Sequence, residues 1–83
     1  MAGPYTGDVI RGTTVGDRIR YLRTRRVLTM KELADRAGLP RWRTVADIEA
    51  GRQRPRPSTL RKIAAALGVE PADLLPEEGD PAA

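Results

Sequence analysis

Apolar positions recur along this chain at steps of three and four, the period of an amphipathic helix. Val15, Ile19 and Leu22 mark a first stripe, which predicts a helix from Val15 to about Arg26 with Thr14 as its cap. Leu33, Ala34 and Ala37 mark a second. Thr29 stands before it with Glu32 three residues later, the spacing of a reciprocal N-terminal cap, and Gly38 stops it. Val45 and Ile48 define a third helix closed by Gly51. Leu60, Ile63, Ala64 and Leu67 form a full core-facing set, predicting a fourth helix from Thr59 to Leu67, capped by Ser58 and ended by Gly68. Pro71 suits the first position of a last short helix, Pro71–Leu75. Five helices with short connections predict an all-α, compact five-helix bundle. Val15, Ile19, Leu22, Leu28, Leu33, Ala34, Ala37 and Leu39 enter its expected core, with Val45, Ile48, Leu60, Ile63, Ala64, Leu67, Val69 and Leu74. The stretch Leu28–Gly51 is central: two short helices joined by a tight turn, too short to hold without a scaffold.

The pattern fails at both ends. Residues 1–13 hold Gly3, Pro4, Gly7 and Gly12 with no sustained period. They read as a flexible arm: either a frayed terminus or a segment laid on a partner or in a DNA groove through Tyr5 and Arg11. Residues 76–83 are acidic, bear Pro and Gly, lack apolar anchors, and read as a disordered tail. The functional domain is placed at residues 14–75. The chain has no Cys and no His, so disulfides, thiolate metal sites and the commonest general base are absent. No metal, cofactor, small-molecule ligand or enzymatic activity is expected. No apolar run is long enough to span a bilayer and no signal peptide opens the chain, so a cytoplasmic protein is expected.

Charge sharpens the picture. The chain carries 15 basic and 11 acidic residues, net +4. Residues 14–75 hold 14 of the basic and 7 of the acidic ones, net +7. A basic domain is the electrostatic footprint of a nucleic-acid binder. Arg18, Arg20, Arg23, Arg25 and Arg26 crowd the first helix and read mostly as a solvated face. Arg52–Pro57 (RQRPRP) is a stiff, basic, non-helical loop directly after the third helix. Its Arg52, Arg54 and Arg56 read either as a solvated loop or, as their placement favours, as contacts to a phosphate backbone.

The runs IRYLRTRRVLTMKELADRAGL, VADIEAGRQRP and STLRKIAAALGVEPADLL together resemble the Xre-type helix-turn-helix domain of phage-repressor-like regulators, over roughly Val15 to Leu75. The resemblance implies a lambda-repressor-like bundle whose third helix enters the major groove while the second braces it on the backbone. It also implies that Arg23 and Glu49 form an ion pair between the first helix and the end of the third. Three departures stand out. Val27 occupies a position where the family usually has Gly, so the first helix either ends differently or carries strain. Met30 replaces a common Gln that bonds a phosphate. One residue too many separates Gly38-Leu39 from Val45, in a family that spaces Gly-Val-Ser-x-x-x-Ile. Counting back from Ile48-Glu49 makes Trp42, Arg43 and Asp47 base-facing; counting forward from Gly38 gives Arg41 and Trp42. The implied DNA contacts are therefore Thr29, Arg41, Trp42, Arg43, Thr44 and Asp47, besides the loop arginines. Arginine can chelate guanine O6 and N7, and Asp can accept from cytosine N4. The competing roles are a packed ring for Trp42, a solvated or locally paired carboxylate for Asp47, and phosphate contacts for Arg41 and Arg43.

The expected function is sequence-specific binding of double-stranded DNA as a transcriptional regulator, a repressor, on a two-fold operator. A homodimer is expected at least on DNA, through apolar surface at Val69, Leu74 and Leu75. The alternative is a protein-interaction module such as an antitoxin or adaptor. The altered turn and Met30 favour it; the tail, poor in apolar anchors, opposes it. RNA binding lacks aromatic platforms.

Overall fold

The computed structural model describes residues 14–75. Helix α1 spans Val15–Arg25, α2 Met30–Ala37, α3 Trp42–Glu49 and α4 Pro57–Leu67, and a 3-10 turn follows at Pro71–Leu74. The expected arm at residues 1–13 and tail at 76–83 lie outside the described residues. No strand occurs among those described. The all-α bundle expected from the pattern is present, with its fifth element a 3-10 turn.

The periodic positions meet in one core. Ile19, Leu33, Val45, Ile48, Ile63, Leu67 and Leu74 are almost wholly withdrawn from solvent, each stabilising the fold by about 1.5–3 kcal/mol before the entropy of ordering is set against it. Val15, Tyr21, Met30, Leu39, Leu60 and Val69 pack around them, partly exposed. Helix α2 packs on α3 and α4, while α1 crosses α3 and reaches α4 and the 3-10 turn. With eight residues each, α2 and α3 depend on this packing rather than on their own propensity.

All four helices end the same way. At the close of α1, the Leu28 amide donates to the Arg23 carbonyl (3.1 Å) and the Val27 amide to that of Thr24 (3.0 Å). The same paired bonds recur at Gly38-Leu39, Gly51-Arg52 and Gly68-Val69. The pair requires a left-handed residue at its first position. Gly38, Gly51 and Gly68 supply it with φ of 73°, 80° and 76°; Val27 supplies it with φ of 56°. A β-branched side chain in that region is strained. The first helix thus ends as a glycine-terminated helix would, without the glycine.

Three expectations are corrected. Ser58 does not cap α4: Pro57 is the first helical residue and Arg56 holds the cap position, because proline's fixed φ and missing N–H suit the opening of a helix. Arg18 is not solvated but 4% exposed. Its guanidinium donates to the Asp73 carbonyl (3.0 Å) and to that of Leu75, tying the 3-10 turn to α1. Leu74 offers no surface to a second copy, since the core consumes it (0% exposed), whereas Leu75 remains 40% exposed.

Candidate nucleic-acid interface

The interface is built from the α2 N-terminus, the outer face of α3 and the loop that follows. At the first, Thr29 caps α2 reciprocally: its hydroxyl accepts from the Glu32 amide (3.0 Å), and its own amide donates to the Glu32 carboxylate (2.8 Å). The Thr29 amide, the Thr29 hydroxyl and the nearby Arg36 charge hold the Glu32 carboxyl below its usual range. Helix amides and the positive end of the dipole face outward there. Met30 turns its side chain against the core and takes no part. Lys31, one residue on, is exposed, and its ammonium lies 3.7 Å from Asp35.

Four residues, Gly38 to Arg41, separate α2 from α3. Arg41 stands at the cap of α3 without a side-chain cap bond, and Trp42 is the first helical residue. Three helical residues precede Val45, as many as lie between Ser and Ile in the family spacing. The added residue therefore lengthens the turn, and the register is the one counted back from Ile48-Glu49.

Along α3, Val45 and Ile48 face the core while Arg41, Trp42 and Arg43 are exposed and Thr44 and Asp47 half-buried. The Arg43 guanidinium lies over the Trp42 ring, 5.1 Å from its centroid. Trp42 is 46% exposed, and a shallow groove there joins Lys31 and Asp35 of α2 to the turn. Asp47 faces Arg52 across 3.5 Å, and its carbonyl accepts from the Arg52 amide (2.9 Å). The backbone of the first loop arginine is thus held against the trailing end of α3, while its side chain stays 71% exposed. Arg54 and Arg56 are exposed, with no side-chain bond of theirs to α3 among the described residues.

Behind this face, Arg23 and Glu49 form a two-pronged ion pair: Nε to Oε2 at 2.6 Å and Nη2 to Oε1 at 3.0 Å. Arg23 Nη1 also donates to the Leu28 carbonyl (2.8 Å). Beside it, Gly16 lets α1 approach the α3 backbone so closely that a Cβ would stand 2.9 Å from Glu49 Cα and overlap the Ile48 carbonyl oxygen.

Sequence reasoning missed three of these residues. Lys31 gave no signal of its own beyond one exposed charge beside Met30. Gly16 gave no signal beyond a glycine early in a helix. Arg18 did give one: with Val15, Ile19 and Leu22 it completes an i, i+3, i+4, i+7 set, so it sits in the apolar stripe.

A family model described as Helix-turn-helix matches residues 19–74. The chain belongs to the Xre-type helix-turn-helix family. A relative, the immunity repressor protein of Bacillus phage phi105, is 45% identical over 65 residues, spanning 78% of this chain and 44% of the relative. This chain therefore covers less than half of that repressor's length. Among solved structures, the restriction-modification controller protein C.AhdI from Aeromonas hydrophila shares the fold with a TM-score of 0.71 and 32% identity, covering 83% of this chain and 98% of that one. The SinR protein/SinI protein complex contains a chain with a TM-score of 0.72 and 31% identity, over 81% of this chain and 65% of that one. The clp gene regulator ClgR from Corynebacterium glutamicum gives 0.67 and 27%, over 72% and 63%.

Proposed function

We propose that this chain is a sequence-specific DNA-binding transcriptional regulator, acting in the cytoplasm as a repressor, with residues 14–75 as the binding unit. The carrying observation is the helix-turn-helix itself: a capped α2 N-terminus, an α3 face bearing Arg41, Arg43 and Asp47, and Arg52 fixed at its end. The related immunity repressor and controller protein support the regulatory role. Helix α3 enters the major groove, Arg43 and Asp47 face the bases with Trp42 beside them, and Thr29 meets a phosphate through its hydroxyl and the neighbouring helix amides. Arg41 and Thr44 flank the base readers. Arg52, Arg54 and Arg56 follow the backbone and position the helix. One eight-residue helix reads few base pairs, so two copies act on a two-fold site with half-sites about 34–36 Å apart.

The test is duplex binding across a range of salt. Each neutralised phosphate should contribute a slope of about −0.9 to log K against log salt, and replacing one loop arginine should reduce the total by about one while weakening all sequences alike. A flat salt response, or no retention of DNA at low salt, refutes the proposal and leaves the protein-interaction alternative. A footprint of one half-site, with one protein per duplex at saturation, refutes the two-fold site.

A further inference from the structure

Arg43 and Asp47 carry opposite charges one helical turn apart on the exposed side of α3, a spacing at which such groups ordinarily meet. They do not meet here. Asp47 faces Arg52 across 3.5 Å, and Arg43 lies in the other direction, its guanidinium over the Trp42 indole at 5.1 Å from the ring centroid. The indole lines a shallow groove together with Leu39 and Pro40 of the lengthened turn. A guanidinium that lies flat against a ring engages it with its face and leaves its in-plane N–H edge open. Among the described residues no carboxylate or carbonyl takes that edge from Arg43.

We propose that Trp42 is a positioning residue: it holds the plane of the Arg43 guanidinium so that its N–H edge meets the O6 and N7 of one guanine. A bidentate contact to a base edge needs the guanidinium coplanar with that base. A phosphate, which accepts from many directions, makes no such demand, so a fixed plane favours the base. The proposal rests on the DNA-binding function above and adds the base, the reader and the residue that aims it.

The experiment begins with a preferred duplex selected from a random library with the full chain. Guanines in it are then replaced singly by 7-deazaguanine, which lacks the N7 acceptor. Wild type, Arg43→Ala, Trp42→Leu, Trp42→Phe and Trp42→Leu/Arg43→Ala are compared, with thermal melts to confirm folding. Arg43→Ala should lower the preference for guanine at one base pair on the order of 5- to 150-fold, and 7-deazaguanine should then cease to matter there. Trp42→Leu should lower the same preference by about 2- to 5-fold, more than it lowers the affinity for non-specific DNA. Trp42→Phe should keep most of it, and Trp42→Leu should add nothing once Arg43 is gone. The proposal fails if Trp42→Leu weakens every sequence alike, or if its effect persists in full without Arg43, which would mean that the ring itself touches DNA. It also fails if no 7-deazaguanine affects the wild type, which would place Arg43 on phosphate. Wild-type protein that retains no duplex at all would instead overturn the DNA-binding function itself.

Discussion

Replacing Arg23 or Glu49 by alanine should expose how much of the fold hangs on one ion pair. The two side chains are 11% and 4% exposed, and two N–H groups of the guanidinium engage both carboxylate oxygens. Removing one partner leaves the other charge buried, at a cost on the order of 3–5 kcal/mol. The two single changes are not equivalent. Without Glu49, Arg23 keeps its bond to the Leu28 carbonyl. Without Arg23, both the Glu49 carboxylate and that carbonyl lose their donor, so Arg23→Ala should be the more damaging. Removing both avoids the uncompensated charge, and the double-mutant cycle should show coupling of roughly 0.5–3 kcal/mol; a solvated pair would couple by only about 0.2–1 kcal/mol. An apolar pair, Arg23→Met with Glu49→Leu, should restore most of the stability. Urea denaturation followed by circular dichroism measures each value. DNA affinity of the single variants, taken at a temperature where both remain folded, should fall because α3 loses its brace. Stabilities that add within about 0.3 kcal/mol, together with unchanged DNA binding in both single variants, would refute the reasoning.

Val27→Gly should stabilise the domain: relief of left-handed strain is about 1–2 kcal/mol, opposed by about 0.5–1 kcal/mol of glycine chain entropy, and Val27 is 86% exposed so little burial is lost; a lower urea midpoint would disprove the strain. Gly16→Ala should destabilise by about 3 kcal/mol, because the Cβ meets α3 backbone that cannot swing aside, outweighing a helix-propensity gain of about 1 kcal/mol; a variant as stable as wild type would show that the two backbones can part. Thr14→Ala and Thr29→Ala each remove a side-chain cap and should each cost about 1 kcal/mol, but only the second should weaken DNA binding; equal effects on DNA would remove Thr29 from the interface. Glu32 has a lowered pKa, so its contribution is present above the ordinary carboxylate range and is lost as pH falls through the lowered value; wild type should melt above Glu32→Gln at neutral pH, and the gap should close in acid. A gap independent of pH would rule out the charge as its cause.

The helical stripes were legible because apolar residues at a step of three or four leave a helix few other ways to bury them. Sixteen positions from Val15 to Leu74 were assigned to the core from this pattern, and all of them line or border it. Ser58 was misassigned as a cap because its residue type suits one, but the proline before it already opens the helix. Leu74 was rightly placed in the core but also offered to a dimer surface, because a pair of leucines does not reveal which one turns inward. Arg18 carries a charge that suits a solvated face, yet its register with Val15, Ile19 and Leu22 puts it in the apolar stripe. The candidate interface was legible as a stretch but not as a register, since the sequence cannot assign an added residue to turn or helix. The placement of Arg43 over Trp42 and the reach of Asp47 toward Arg52 depend on rotamers, which no spacing rule supplies.

The contact at Gly16 bears on what the duplex itself must do. With no side chain between α1 and the Ile48–Glu49 backbone, the trailing end of α3 has no soft layer on which to tilt. A recognition helix mounted on side chains can rock to follow a groove; this one is seated backbone to backbone. On the proposed two-fold site, a mismatch between the spacing of two such helices and the pitch of B-form DNA would fall on the DNA, as bending or twisting. The energy of that deformation depends on the base steps between the half-sites, where stiff A-tracts and easily kinked pyrimidine–purine steps differ. The rigid seat would turn base pairs that neither copy touches into determinants of affinity.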